Sequence, residues 1–231
     1  SVTAMGALGL LSANALVSGS AVLDCCRQNQ ELVGAAREIL DQVRGEHVGV
    51  IFQEPTTALD PLFTIGDQIA EAIAIHGEGK RKRTTPRQRR AVRTQVLNAL
   101  SRAGLGGDQR ETERIADSYP HQLSGGMLQR IMIGIAMALQ PELLIADEPT
   151  TAIDAITQYE ILEEFIRIKK QKNTAMLFIT HDLGAISRVA DRILVMNSGH
   201  VVDSGSFDHI LKHADDPYTR MLVEKRSAVM H

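Results

Sequence analysis

The segment Leu143-Leu144-Ile145-Ala146-Asp147-Glu148 constrains the fold of this chain more than any other. Four apolar residues run straight into two acids, which reads as a short buried strand with paired carboxylates at its C-terminal end. A strand of this kind sits in a covered sheet and places both acids at the carboxyl edge, where α/β folds bind ligands. One carboxylate there can support Mg²⁺, and the next can orient or deprotonate a water.

The rest of the chain supplies strands and helices in alternation. Residues 48–52 form a compact β-branched run stopped by Pro55, 175–179 form another strand, and 21–23 form a third, shorter one. Residues 193–196 and 200–203 read as a strand pair turned at Ser198-Gly199. Helical periodicity marks 2–11, 31–43, 64–75, 92–103, 123–139, 156–168 and 183–189. Strand and helix in turn predict a mostly parallel α/β sheet. No internal repeat interrupts the pattern.

Composition narrows the function. The 25 Lys+Arg nearly balance 28 Asp+Glu, for a net charge of −3, which argues against a protein that coats nucleic acid. Aromatic residues are 3% of the chain, too few for a base-stacking platform. Residues 80–90 hold seven Lys/Arg and no aromatic, and read as a solvated loop leading into a surface helix. The longest apolar run, 131–139, is shorter than the roughly 20 residues a bilayer requires. The apolar start lacks the basic residues of a signal peptide. Cys25 and Cys26 are adjacent, which is neither a metal spacing nor a disulfide framework, so a reducing compartment is expected.

Three further features fall on strand ends or a helix start. Gly125 and Gly126 follow Ser124 at the head of a helix, where bare backbone N–H groups and the helix dipole favour an anion such as phosphate. Gln53 follows one strand and His181 another. Each alone is commonplace; together with Asp147 and Glu148 they outline one site.

With these residues in view, the sequence resembles an ATP-binding-cassette (ABC) transporter ATPase of the dipeptide, oligopeptide and nickel import group. Val50-Ile51-Phe52-Gln53-Glu54-Pro55 resembles the Q-loop, and Leu123-Ser124-Gly125-Gly126-Met127-Leu128-Gln129-Arg130 the ABC signature. Residues 143–148 match Walker B, Thr151-Ala152-Ile153-Asp154 the D-loop, and Ile179-Thr180-His181-Asp182 the switch histidine. Asp216-Pro217-Tyr218-Thr219-Arg220 is similar to an element near the end of peptide and nickel importers. The departure is at the start. The family's phosphate loop reads G-x-x-x-x-G-K-[ST], and Ser1-Val2-Thr3-Ala4 resembles the residues from its final Ser onward. The loop's glycines and lysine, the preceding strands and the adenine-stacking aromatic are not among the 231 residues. A sequence that begins inside the loop accounts for this better than an inactive paralogue, because every downstream position is present. These residues alone are then expected to bind ATP weakly and to leave an apolar sheet edge exposed.

The resemblance implies a phosphate-loop NTPase fold with an inserted helical subdomain. The core would comprise 1–61 and 136–231, and the subdomain 62–135. It implies ATP and Mg²⁺ as cofactors. Ser1, Gln53 and Asp147 would serve the metal, Glu148 would be the general base, and His181 would bond the γ-phosphate. Ser124, Gly125, Gly126 and Met127 would close on the nucleotide of a second ATPase subunit, with Asp154 at the dimer contact. The implied partners are that second subunit (identical or not), two permeases at the cytoplasmic face of the membrane, and indirectly an extracytoplasmic binding protein. No nucleic-acid partner is expected.

Other classes fit less well. Chromosome-maintenance ATPases place a long coiled coil between the Q-loop and signature halves, and here the two lie close in sequence without sustained heptads. Translation-type members carry two cassettes in one chain. A non-catalytic interaction subunit is the third reading, set by the missing loop. Between cargoes, Leu128 and the short tail after Arg220 lean toward nickel over peptide.

Overall fold

The computed structural model describes residues 1–25, 28–76, 85–151, 153–170 and 174–229. They divide into two compact units, Ser1–Ile179 and Thr180–His231. This division differs from the sequence-based one, which joined 136–231 in a single part.

The first unit opens with α1 (Val2–Ala7), the antiparallel hairpin β1 (Val22–Cys25) and β2 (Gln28–Glu31), then α2 (Arg37–Glu46) and β3 (Val48–Ile51). A short α3 (Pro55–Ala58) precedes four helices in succession: α4 (Ile65–His76), α5 (Pro86–Arg102), α6 (Gln109–Ala116) and α7 (Gly125–Met137). Then come β4 (Leu143–Asp147), α8 (Ala155–Lys170) and β5 (Ala175–Ile179). The strands form a parallel sheet in the order β3-β4-β5, Ile51 opposite Ala146 and Asp147 opposite Ile179. Their carboxyl ends share one edge, so Gln53, Asp147 and Glu148 emerge on the same side. Leu40, Val43, Val48 and Ile145 pack with Leu8 and Leu32 into the core on one face. β5 is an edge strand among the described residues, and Leu177 on it is 43% exposed.

Three expectations need correcting. The helix expected over 2–11 ends at Ala7: Gly9 turns left-handed (φ 62°), and Arg44 donates to the Leu8 and Gly9 carbonyls, closing the helix end. The helix expected over 31–43 begins only at Arg37. Before it, Glu31 ends a strand and its carboxylate accepts from Ala21 N (2.8 Å), Val33 N (3.0 Å) and the Ser20 hydroxyl. Leu32 is buried in the same core as Leu40 and Val43, so the apolar positions were read rightly and their helical phase wrongly. α5 starts earlier than 92, where Thr85 and Gln88 form a capping box ahead of Pro86. Arg87, Arg89 and Arg90 of the basic run are therefore exposed first turns of a surface helix. Residues 77–84, with the remainder of that run, lie outside the described residues, as do Cys26 and Ala152. Cys25 is half-buried.

The second unit holds α9 (Leu183–Val189), the antiparallel pair β6 (Ile193–Asn197) and β7 (His200–Gly205), α10 (Phe207–Lys212) and α11 (Pro217–Val229). Ile193, Val195 and Ile210 form its core, with Tyr218, Leu222 and Val223 of α11 packed on them. Among the described residues, no helix is long and apolar enough to cross a membrane.

Candidate functional site

The carboxyl edge of the sheet gathers four of the expected residues. Ser1 Oγ donates to Asp147 Oδ1 at 2.8 Å, although the two are separated by nearly the whole first unit. Asp147 is the last residue of β4, paired with Ile179 of β5, and only 7% exposed. One residue on, Gln53 Nε2 and Thr151 Oγ1 both donate to Glu148 Oε2 at 3.0 Å. The Glu148 backbone is left-handed (φ 47°), a conformation that costs a non-glycine residue on the order of 1 kcal/mol. Its N–H donates to the Ile179 carbonyl of β5 at 2.8 Å, which holds the turn in place.

Ser124, Gly125, Gly126 and Met127 form the head of α7. The Ser124 hydroxyl accepts from Met127 N at 3.3 Å, a serine N-cap. A Cβ on Gly125 would meet nothing within 4 Å, so this residue is open to approach from outside. Asp154 caps α8, its Oδ1 accepting from Ile156 N (3.1 Å) and Thr157 N (3.0 Å). Bonds from the Thr157 backbone and hydroxyl hold this carboxyl below the usual range.

His181 belongs to the second unit. It sits exposed between Thr180, whose hydroxyl accepts from Asp182 N at 3.0 Å, and Asp182, which caps α9 through Gly184 N at 2.6 Å.

Sequence reasoning missed a cluster in the second unit. Asp203, His209 and Asp215 bring three ligand-type atoms within 4.8 Å of one another. The Asp203 oxygens are already engaged, however. Oδ1 accepts from Ser204 N (2.8 Å) and faces His209 Nε2 (3.6 Å), while Oδ2 accepts from Asp215 N (3.0 Å) and Asp216 N (3.5 Å). Burial pushes this carboxyl up, but the N–H groups of Asp216, Asp215 and Ser204, aided by His209, outweigh it and hold it low. It anchors the turn before α11. The Asp215 and Asp216 donors lie a dozen or so residues downstream, a separation that leaves no local sequence signal.

A cavity of about 430 Å³ lies between α5, α7 and α8, with Arg102, Glu164 and Arg167 on its wall. None of the expected site residues lines it.

A parallel sheet that collects a hydroxyl, a buried acid and an amide-held acid at its carboxyl edge has the architecture of phosphate-loop nucleotide-binding folds. Comparison with known proteins carries this to a family. The chain belongs to the ABC transporter family, whose model matches residues 21–151. It is 39% identical, over 96% of its length, to the oligopeptide transport ATP-binding protein of Lactococcus lactis subsp. cremoris, and spans 62% of that relative's length. It is 35% identical to the metal-staphylopine import system ATP-binding protein of Staphylococcus aureus, covering 99% of this chain and 79% of the relative. A bacterial ABC transporter cassette solved as a dimer superimposes with a TM-score of 0.67 at 25% identity, covering 82% of this chain and 74% of that one.

Proposed function

We propose that the chain is the ATP-hydrolysing subunit of an ABC importer, peripheral to the cytoplasmic face of the membrane, powering uptake through partner permeases. The observation that carries this reading is the paired contact at the sheet edge, Ser1 to Asp147 and Gln53 to Glu148. The donor set fits Mg²⁺: hydroxyl, carboxylate and amide oxygens are hard ligands. Ser1, Asp147 and Gln53 would hold the ion, which would offset charge on the triphosphate.

Glu148 would take the proton of the attacking water at its carboxylate. Gln53 and Thr151 fix the rotamer of that carboxylate through Oε2, so the base is aimed before the nucleotide arrives. His181 would bond the γ-phosphate. Ser124, Gly125, Gly126 and Met127 would meet the nucleotide bound to a second subunit, with the N–H groups at the head of α7 facing its phosphate. Asp154 would lie at that contact. Residues 62–135, carrying α4 to α7, would be the subdomain that meets a permease, and 1–61 with 136–231 the nucleotide-binding core. An extracytoplasmic binding protein would deliver cargo. Relatives named for oligopeptide transport and for metal-staphylopine import support a small peptide or a metal complex as that cargo.

The test uses a version of the chain extended upstream of Ser1 by the family's phosphate loop. Glu148→Gln should lower ATP turnover between a hundredfold and ten-thousandfold, the usual cost of a lost general base, while nucleotide affinity stays within about twofold. Turnover within about threefold of the parent removes Glu148 from the role.

A further inference from the structure

The two glycines at the head of α7 have different surroundings. A Cβ on Gly125 would enter open space, whereas a Cβ on Gly126 would overlap Thr157 Cγ2 on α8. Thr157 is engaged at its other end as well, its N–H and hydroxyl both bonded to the Asp154 carboxylate. One turn along, Arg130 of α7 pairs with Glu160 of α8 and donates to the Gly104 carbonyl at 3.0 Å. Gly126 and Arg130 are four apart on α7, and Thr157 and Glu160 three apart on α8, so each pair lies on one helix face. Both contacts advance in the same direction, which sets the two helix N-termini side by side.

We infer that Thr157 is a positioning residue that locks the head of α7 to the head of α8, so that Ser124-Gly125-Gly126 and Asp154 move as one piece. The lock continues inward: Thr151, three residues before Asp154, donates to Glu148. Resting on the function proposed above, this gives Thr157 a specific task. The head of α7 would serve the partner's nucleotide and Glu148 the chain's own, and one threonine methyl lies on the path between them. A shift of the Glu148–Thr151 turn would reach the partner's site through a packed contact, not through solvent. The necessity for glycine at position 126 is then steric, set by Thr157, while that at position 125 is set by access.

Amide hydrogen exchange on the 231-residue chain tests the lock without any nucleotide. Gly126→Ala overpacks the contact and should speed exchange about tenfold or more at the bonded amides of Met127 and Leu128 and equally at those of Ile156, Thr157 and Gln158. Adding Thr157→Ser removes the colliding methyl, keeps the hydroxyl for Asp154, and should return both segments to within about twofold of the parent. Thr157→Ser alone, a milder change of one methyl, should speed exchange at both segments about threefold. Exchange confined to one helix, or a double variant no better than Gly126→Ala, overturns the inference. In the version carrying a phosphate loop, Gly126→Ala should lower kcat at unchanged KM and Thr157→Ser should restore it. A double variant that recovers its exchange but not its kcat means that Gly126 serves the nucleotide directly, and it overturns the steric assignment. Coupled exchange in a protein that never hydrolyses ATP defeats the proposed function and leaves the lock standing.

Discussion

Glu148 shows how much a single backbone angle can say. Its left-handed conformation is tolerated by asparagine far better than by other side chains with a Cβ. Glu148→Asn should therefore melt above Glu148→Gln by the equivalent of roughly 1 kcal/mol, since both lose the carboxylate and only one fits the angle. Thermal unfolding of the two variants decides it, and equal midpoints would mean that the turn carries no strain. Asp147, Glu148 and Gln53 were legible because each ends an apolar strand, and a strand end has a fixed place in a parallel sheet. Thr157 was not: a threonine in a helix carries no signal, and its role exists only through a glycine on another element. Asp203 was hidden for a similar reason, being satisfied by N–H groups a dozen residues downstream.

Elements were read well where the apolar phase matched the local backbone and poorly where a polar side chain set the structure. The hairpin of β1 and β2 is the clearest case. Gln28-Asn29-Gln30-Glu31 has no β-branched residue, so nothing in its composition announces a strand. Glu31 holds it in place of a composition bias, and its carboxyl lies below the usual range, first through the Ser20 hydroxyl and then through Ala21 and Val33 N–H. A depressed carboxyl stabilises the fold at pH values above its unfolded pKa, and the contribution fades as pH falls through the lower folded value. Amide protection at Ala21 and Val33 should accordingly be high at pH 7, fall below about pH 4, and be low at both pH values in Glu31→Ala. Protection unchanged by that substitution would show that strand pairing alone carries the hairpin. The capping serine, threonine and aspartates at Ser124, Thr85, Asp108 and Asp182 made helix starts definite in the structure. From sequence, Asp108 went unread, because α6 is short and mostly polar.

At the scale of the molecule, motif order along the chain was enough to reach the family, since several weak signals in fixed sequence multiply. What it did not convey is that compactness breaks at Ile179, after the last strand of the parallel sheet and before His181. The role proposed for Ser124, Gly125 and Gly126 also implies that assembly completes the site. In the version with a phosphate loop and Glu148→Gln, ATP should drive dimer formation, and Ser124→Arg should abolish the dimer while single-subunit nucleotide affinity changes less than about threefold. Sedimentation with and without Mg·ATP reads both, and an unchanged dimer would contradict a signature that acts across subunits.

The overlap between Gly126 and Thr157 also limits the routes by which descendants of this sequence can change. An alanine at 126 is closed while threonine stands at 157, yet a serine at 157 costs only one methyl and opens the way. The two steps are therefore permitted in one order and obstructed in the other. A lineage that has already gained the alanine cannot readily regain the threonine.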